Sequence, residues 1–146
     1  MKRFKFNLES VLKYRENVER YEKGVLSGLN AKLASLFLEL AKLNGDYREA
    51  AAEFEKMSEE GISVRDIRSK HAIMENIEFY IEKKTREIEA QQRLITKQTA
   101  VVVKTMRDSK TVNRLKELKY EQYIKDENKE QEKFIEEYLA QLTINN

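Results

Sequence analysis

Cysteine, proline and tryptophan are absent from this chain of 146 residues, which holds one histidine and four glycines. Without cysteine there are no disulfides, no thiol nucleophile and no thiolate metal site. Without proline, and with so little glycine, almost every signal that breaks a helix is missing. The lone histidine, His71, has no partner in an H-E-x-x-H spacing, so a transition-metal site lacks ligands and a Ser-His-Asp set lacks geometry. No G-x-x-x-x-G-K-[ST] loop or G-x-S-x-G elbow occurs, and Gly24-x-x-x-Gly28 is neither. Acidic neighbours such as Glu59-Glu60 and Glu136-Glu137 point apart on a helix and make no acid–base pair. These absences read as no enzyme, no cofactor and no metal.

Long apolar runs are scarce too. The best stretch, Ala31 to Leu43, is interrupted by Lys32, Glu39 and Lys42, and the basic start (Lys2, Arg3, Lys5) leads into no apolar segment. The expectation is a cytoplasmic chain with no membrane span and no secretory leader. A net charge of +2 is close to balance and offers no bulk attraction for nucleic acid. Basic residues do gather between Lys83 and Lys119, but without a base-reading motif or stacking platform, and they read as a solvated face.

What is present is periodicity. Leu8, Leu12, Arg15, Glu19, Glu22, Leu26, Leu29, Leu33, Leu36, Leu40, Leu43, Tyr47, Ala50, Phe54 and Met57 recur in alternating steps of four and three. This heptad seam marks a long helix lying against another. Asn7 is a candidate N-cap. Gly24, Gly28 and the triplet Asn44-Gly45-Asp46 interrupt composition but not phase, so the helix is expected to run through them from about residue 8 to 60. The stop comes at Gly61-Ile62-Ser63. Gly61 suits a left-handed C′ position and Ile62 the fold-back of a Schellman cap, while Ser63 with Asp66 has capping-box spacing. A turn at about 61–63 joins antiparallel neighbours.

Beyond the turn, Ile67, Met74, Ile81, Ile88, Ile95 and Val102 are spaced by seven, with a mixed companion row at His71, Glu78, Thr85, Gln92, Thr99 and Met106. After Ser109 the phase is expected to shift to Val112, Leu115 and Leu118. The fold class predicted is all-α: a single long antiparallel two-helix coiled-coil hairpin over residues 1–146, with the second helix at about 64–142. At 1.5 Å per residue the two helices are about 80 and 118 Å long. Residue 8 should then lie opposite about residue 114, leaving roughly the last 26 residues overhanging without a partner. That overhang is acidic between Asp126 and Tyr138 and carries Phe134, Tyr138, Leu139 and Leu142 at helical spacing. So polar a helix is marginal alone and is expected to order on a partner. Arg15, Glu19 and Glu22 interrupt the apolar seam; either they pair with the opposite segment, near Lys104 and Arg107, or they serve a polar partner.

The opening Phe4-Lys5-Phe6-Asn7-Leu8-Glu9-Ser10-Val11-Leu12-Lys13-Tyr14-Arg15-Glu16 resembles the start of the flagellar export protein FliJ family. So do Arg107-x-x-Lys110, the run Arg114-Leu115-Lys116-Glu117-Leu118-Lys119, and the closing Glu130-Gln131-Glu132-Lys133-Phe134-Ile135-Glu136-Glu137, where Ile135-Glu136-Glu137 departs from the usual Leu/Met-Asp-Glu. The resemblance implies a non-enzymatic component of the flagellar type III export apparatus, similar to the γ stalk of the rotary ATP synthase. It implies three partners: the hexameric export ATPase, the membrane-embedded export gate and export chaperones. It also implies a location at the inner face of the cell membrane. Carried over by position, Arg15, Glu16, Arg114, Leu115, Lys119, Glu130, Phe134 and Tyr138 would face the ATPase ring. Leu36, Leu40, Leu43, Tyr47 and Tyr80 would face the gate, although four of these are also seam positions. The competing readings are a self-associating structural coiled coil that buries the overhang against a second copy, and a nucleic-acid-binding coiled coil.

Overall fold

In the computed structural model, which describes residues 2–145, two helices account for nearly the whole chain: α1, Glu9–Glu60, and α2, Val64–Asn145. They pack against each other as an all-α helical hairpin, without a strand among the described residues. Helix α1 continues through Gly24, Gly28 and Asn44-Gly45-Asp46, as the unbroken heptad phase requires. The helix N-terminus falls one residue later than expected. The first helical bond runs from the Leu12 amide to the Leu8 carbonyl, so Leu8 rather than Asn7 occupies the cap position, after a turn in which the Glu9 amide donates to Phe6.

The turn forms as its residues dictate. Gly61 has φ +86°, the left-handed conformation that a side chain disfavours. Ser63 caps α2 twice: its hydroxyl accepts from the Asp66 amide at 3.2 Å and its carbonyl from the Ile67 amide at 3.0 Å.

The chain divides into two compact units, residues 22–101 and residues 1–21 with 102–146. In the first, which contains the turn, the α1 seam is buried or half-buried from Glu22 through Leu36 to Met57. The α2 seam corrects the sequence reading. The apolar row Ile67 to Val102 faces inward, but its companion lies three residues on, at Lys70, Ile77, Lys84, Gln91 and Gln98; His71, Glu78, Thr85, Gln92 and Thr99 are exposed. Apart from Ile77 and Met106, both flanks of the isoleucine row are made of polar residues, so periodicity gave little to choose between them. Hydrogen bonding to α1 does choose. Gln91 Nε2 donates to the Leu29 carbonyl at 3.0 Å and Gln98 Nε2 to the Glu22 carbonyl at 3.1 Å and to its carboxylate. The long stems of Lys84 and Lys70 lie along the seam, with their ammonium groups 2.6 Å from Glu39 and 2.9 Å from Glu53. His71, expected on the seam, sits at its exposed edge with its ring 5.2 Å from that of Phe54.

In the second unit, which contains both chain ends, Leu12, Val102 and Val112 are buried together with Ser109. The seam keeps its heptad phase here: Thr105, Ser109, Val112 and Lys116 face inward, whereas Met106, Leu115 and Leu118 are exposed. The expected phase shift does not occur, because serine and threonine occupy seam positions that a hydrophobicity pattern passes over. The overhang is also shorter than predicted. Glu9 bridges Lys116 at 2.9 Å, and the non-helical residues before α1 run further along α2. Phe4 packs on Tyr120 and Tyr123 with ring centroids 5.2 and 5.5 Å apart, and the Tyr123 hydroxyl donates to the Lys2 carbonyl. Every residue from 128 to 145 is exposed, so the uncovered tail begins near 128.

The expectation that no apolar stretch approaches the length of a membrane span is corrected. An 18-residue window of α1 reaches a mean hydropathy of 1.2 with at most two charged residues, which is long and apolar enough for a span by length and composition. Only 6% of that window is buried. Counting an unbroken apolar run hid it, since Lys32 and Glu39 divide a stretch rich in leucine and alanine.

Candidate partner-binding site

Each unit carries one of the two residue sets proposed from sequence. In the unit with the chain ends, α1 supplies Arg15 and Glu16, and α2 supplies Arg114, Leu115, Lys119, Glu130, Phe134 and Tyr138. Arg15 occupies a seam position: its Nη1 lies 3.3 Å from Asp108 Oδ2, while its buried Nε has no partner. Arg15 thus pairs across to α2, at Asp108, just beyond the opposite segment near Lys104 and Arg107 expected from the sequence. Glu22, likewise, is held by Gln98 in the other unit.

Glu16 lies at the surface and lines a groove of about 530 Å³ with Glu19, Val103, Met106, Arg107 and Lys110. Arg114 is exposed, bonds Glu117 at 3.0 Å, and borders a neighbouring hollow of about 560 Å³ with Arg107 and Lys110. Leu115 and Lys119 open onto a third groove, about 530 Å³, between α2 and the arm formed by residues 2–8. Glu130, Phe134 and Tyr138 stand on the uncovered tail, the two rings 70% and 56% exposed. The arrangement is a row of shallow depressions with charged rims, leading to a bare amphipathic helix. It suits a partner that reads charge and shape over a long face. No group of three or more His, Asp or Glu residues that could hold a metal occurs among the described residues.

The second set lies in the unit with the turn. Leu36 is 6% exposed and belongs to the core; Leu40, Leu43 and Tyr47 are half-buried in the seam. Leu43 and Tyr80 do meet a common groove of about 430 Å³, rimmed by Glu39, Lys42, Asp46 and Lys83. Hydrogen bonding of the Tyr47 hydroxyl to Glu78, reinforced by the carboxylate's charge, holds its pKa above the ordinary 10.0. The bonds from Lys84 to Glu39 and Glu87 raise the ammonium above its ordinary 10.5, against a small opposing effect of burial.

Sequence reasoning missed several surface features. Phe37 and Leu38, next to the core Leu36, are 46% and 74% exposed and form the apolar outer surface of that stretch. Phe79 stands beside Tyr80, ring to ring at 5.6 Å. Phe4, Tyr120 and Tyr123 were also missed; the only sequence signal was an aromatic pair three residues apart on α2, within reach of an aromatic in the arm.

The family model described as Flagellar FliJ protein matches residues 4–146. The chain belongs to the FliJ family. That membership makes it a flagellar export-related component with a helical, coiled-coil-like fold. No curated protein and no solved structure matches the chain. The match covers both FliJ-like termini, and therefore both the arm that carries Phe4 and the exposed tail.

Proposed function

We propose that this chain is a non-enzymatic, stalk-like FliJ protein that binds the hexameric flagellar export ATPase through its paired ends and tail. It further contacts the export gate and handles export chaperones, working as one coiled-coil domain on the cytoplasmic side of the membrane at the flagellar base. The observation that carries the reading is the tail: residues 128–145 remain helical and exposed throughout, with an apolar arc not packed into the hairpin. A stalk engaging a ring needs a projecting helix whose contacts re-register readily, and charged rims with shallow grooves provide weak, exchangeable contacts.

The chain associates with the membrane peripherally. The α2 stretch packed along the apolar window of α1 carries Lys83, Lys84, Arg86, Glu87, Glu89 and Arg93, too many charges to enter hydrocarbon as a hairpin. In the gate surface, Tyr80 and Leu43 line their common groove, while Leu36 lies in the core.

Deleting residues 128–146, which spares the Phe4–Tyr123 contact, should abolish stimulation of the export ATPase while leaving a hairpin of normal helicity. ATP hydrolysis rates with and without the truncated chain measure this. Undiminished stimulation overturns the reading.

A further inference from the structure

We propose that the groove between the N-terminal arm and α2 is a docking site for the C-terminal tail of a second copy of this chain, so that two copies exchange tails in a symmetric, reversible dimer. The inference concerns the chain alone and does not depend on the ATPase reading; where that reading holds, the dimer competes with the ring for the same residues.

The two surfaces complement each other in charge. The arm, residues 2–8, carries Lys2, Arg3 and Lys5 and no acidic residue, and Lys119 adds a fourth cation from α2. Asp126 is the one acidic side chain lining the groove. The tail from Phe134 to Asn145 carries Glu136 and Glu137 and no lysine or arginine. Its Phe134, Ile135, Tyr138, Leu139 and Leu142 lie in one arc at 100° per residue, the width of a packing face, and all are exposed. The groove supplies an apolar floor from Phe4, Phe6, Leu8, Leu115 and Tyr123.

The lengths agree as well. The α2 wall of the groove runs from Leu115 to Asp126, and the segment to be seated runs from 134 to 145, the same number of residues and about 17 Å of helix in each case. A chain cannot seat its own tail, because 115–126 and 134–145 belong to one uninterrupted helix. Two chains can, by laying their α2 ends antiparallel about a two-fold axis near residue 130. Each tail then occupies the other's groove, an isologous contact that closes on itself. Such short seats bury an area near or below the ~1,200 Å² at which stable interfaces begin, so the dimer should be weak and concentration-dependent.

Charge exchange tests the pairing. One variant reverses the arm (Lys2→Glu, Arg3→Glu, Lys5→Glu) and another reverses the tail (Glu136→Lys, Glu137→Lys); all five side chains are exposed, and helicity by circular dichroism confirms that the fold is kept. In sedimentation equilibrium, the unmodified chain should approach a dimer as concentration rises, and salt should weaken it. Each variant alone should dissociate at least tenfold more readily. An equimolar mixture of the two should recover association, since every arm then meets a tail of opposite sign. An unmodified chain that stays monomeric at every concentration, a variant that dimerises as readily as the parent, or a mixture that fails to associate would each overturn the proposal.

Discussion

The unit with the turn and the unit with the chain ends each pack α1 against α2 but close that packing differently. At the turn, closure is covalent: Gly61 takes the one conformation that ends α1, and Ser63 starts α2 through its own hydroxyl and carbonyl. Along that unit the polar seam residues reach across to α1, as Gln91, Gln98, Lys84 and Lys70 show. In the other unit no covalent link joins the helices. A non-helical arm does the work by packing Phe4 on two tyrosines, and past it α2 goes uncovered. A covalent turn fixes pairing from one side whatever the sequence, whereas an aromatic clasp can open without unfolding the helices it joins. The bare tail and the arm groove belong to the unit closed by non-covalent contacts alone.

The strongest way to break this contrast is in the core of the turn unit. Leu36→Ala removes a side chain 6% exposed and should cost about 2–4 kcal/mol, read from the midpoint of chemical denaturation. A loss under about 1 kcal/mol would mean that the leucine seam is looser than its burial indicates.

Next in size is the clasp. Phe4→Ala should cost about 1–2 kcal/mol from lost apolar area and ring–ring contact. Its effect should be local: hydrogen exchange should quicken in residues 116–127 and remain unchanged in residues 64–100. Uniform quickening would show that the arm supports the whole hairpin and would erase the contrast. Gly61→Ala tests the covalent side. With φ at +86° and open space around the position, the cost is backbone strain alone, about 1 kcal/mol by thermal or chemical melting.

The smallest effect is electrostatic. The Lys84 pKa is raised chiefly by its bond to Glu39, so the stabilisation from that cation is full below about pH 10.5 and fades as pH climbs through the folded value. Tyr47, raised by its bond to Glu78, behaves in the same direction above pH 10.0. Melting temperature should therefore fall more steeply above pH 10 in the parent than in a Lys84→Met, Tyr47→Phe variant. Identical slopes would show that these bonds contribute nothing in the folded state.

Much of the architecture was legible in the chain because long helices announce themselves. The fifteen-position seam of α1, the breaks at Gly24, Gly28 and Gly45 that do not break phase, and the Gly61–Ser63 turn all follow from local rules and from a period of three and a half. The partner row of α2 did not. Gln91 and Gln92, or Gln98 and Thr99, are indistinguishable to a hydrophobicity pattern, and only the carbonyls of Leu29 and Glu22 on the other helix select between them. Of the candidate site, the sequence located the exposed tail, since counting residues on either side of the turn requires an excess on α2. It misjudged where the tail begins, because residues before α1 follow no period and their cover over Tyr120 and Tyr123 depends on a contact between positions more than a hundred residues apart. The seam did set Leu36 inside and left Phe37 and Leu38 off it, but the resemblance also carried Leu36 to the gate surface, where its burial keeps it from view.

The sequence by itself determined the helices, the turn and the existence of an unpaired acidic end, because these depend on backbone propensity, capping and length. Tertiary structure alone decided which polar residues lie inside, where the arm rests and which apolar side chains remain for a partner. Those choices depend on what stands opposite, and in a hairpin the opposite residue is set by a register that no single helix encodes.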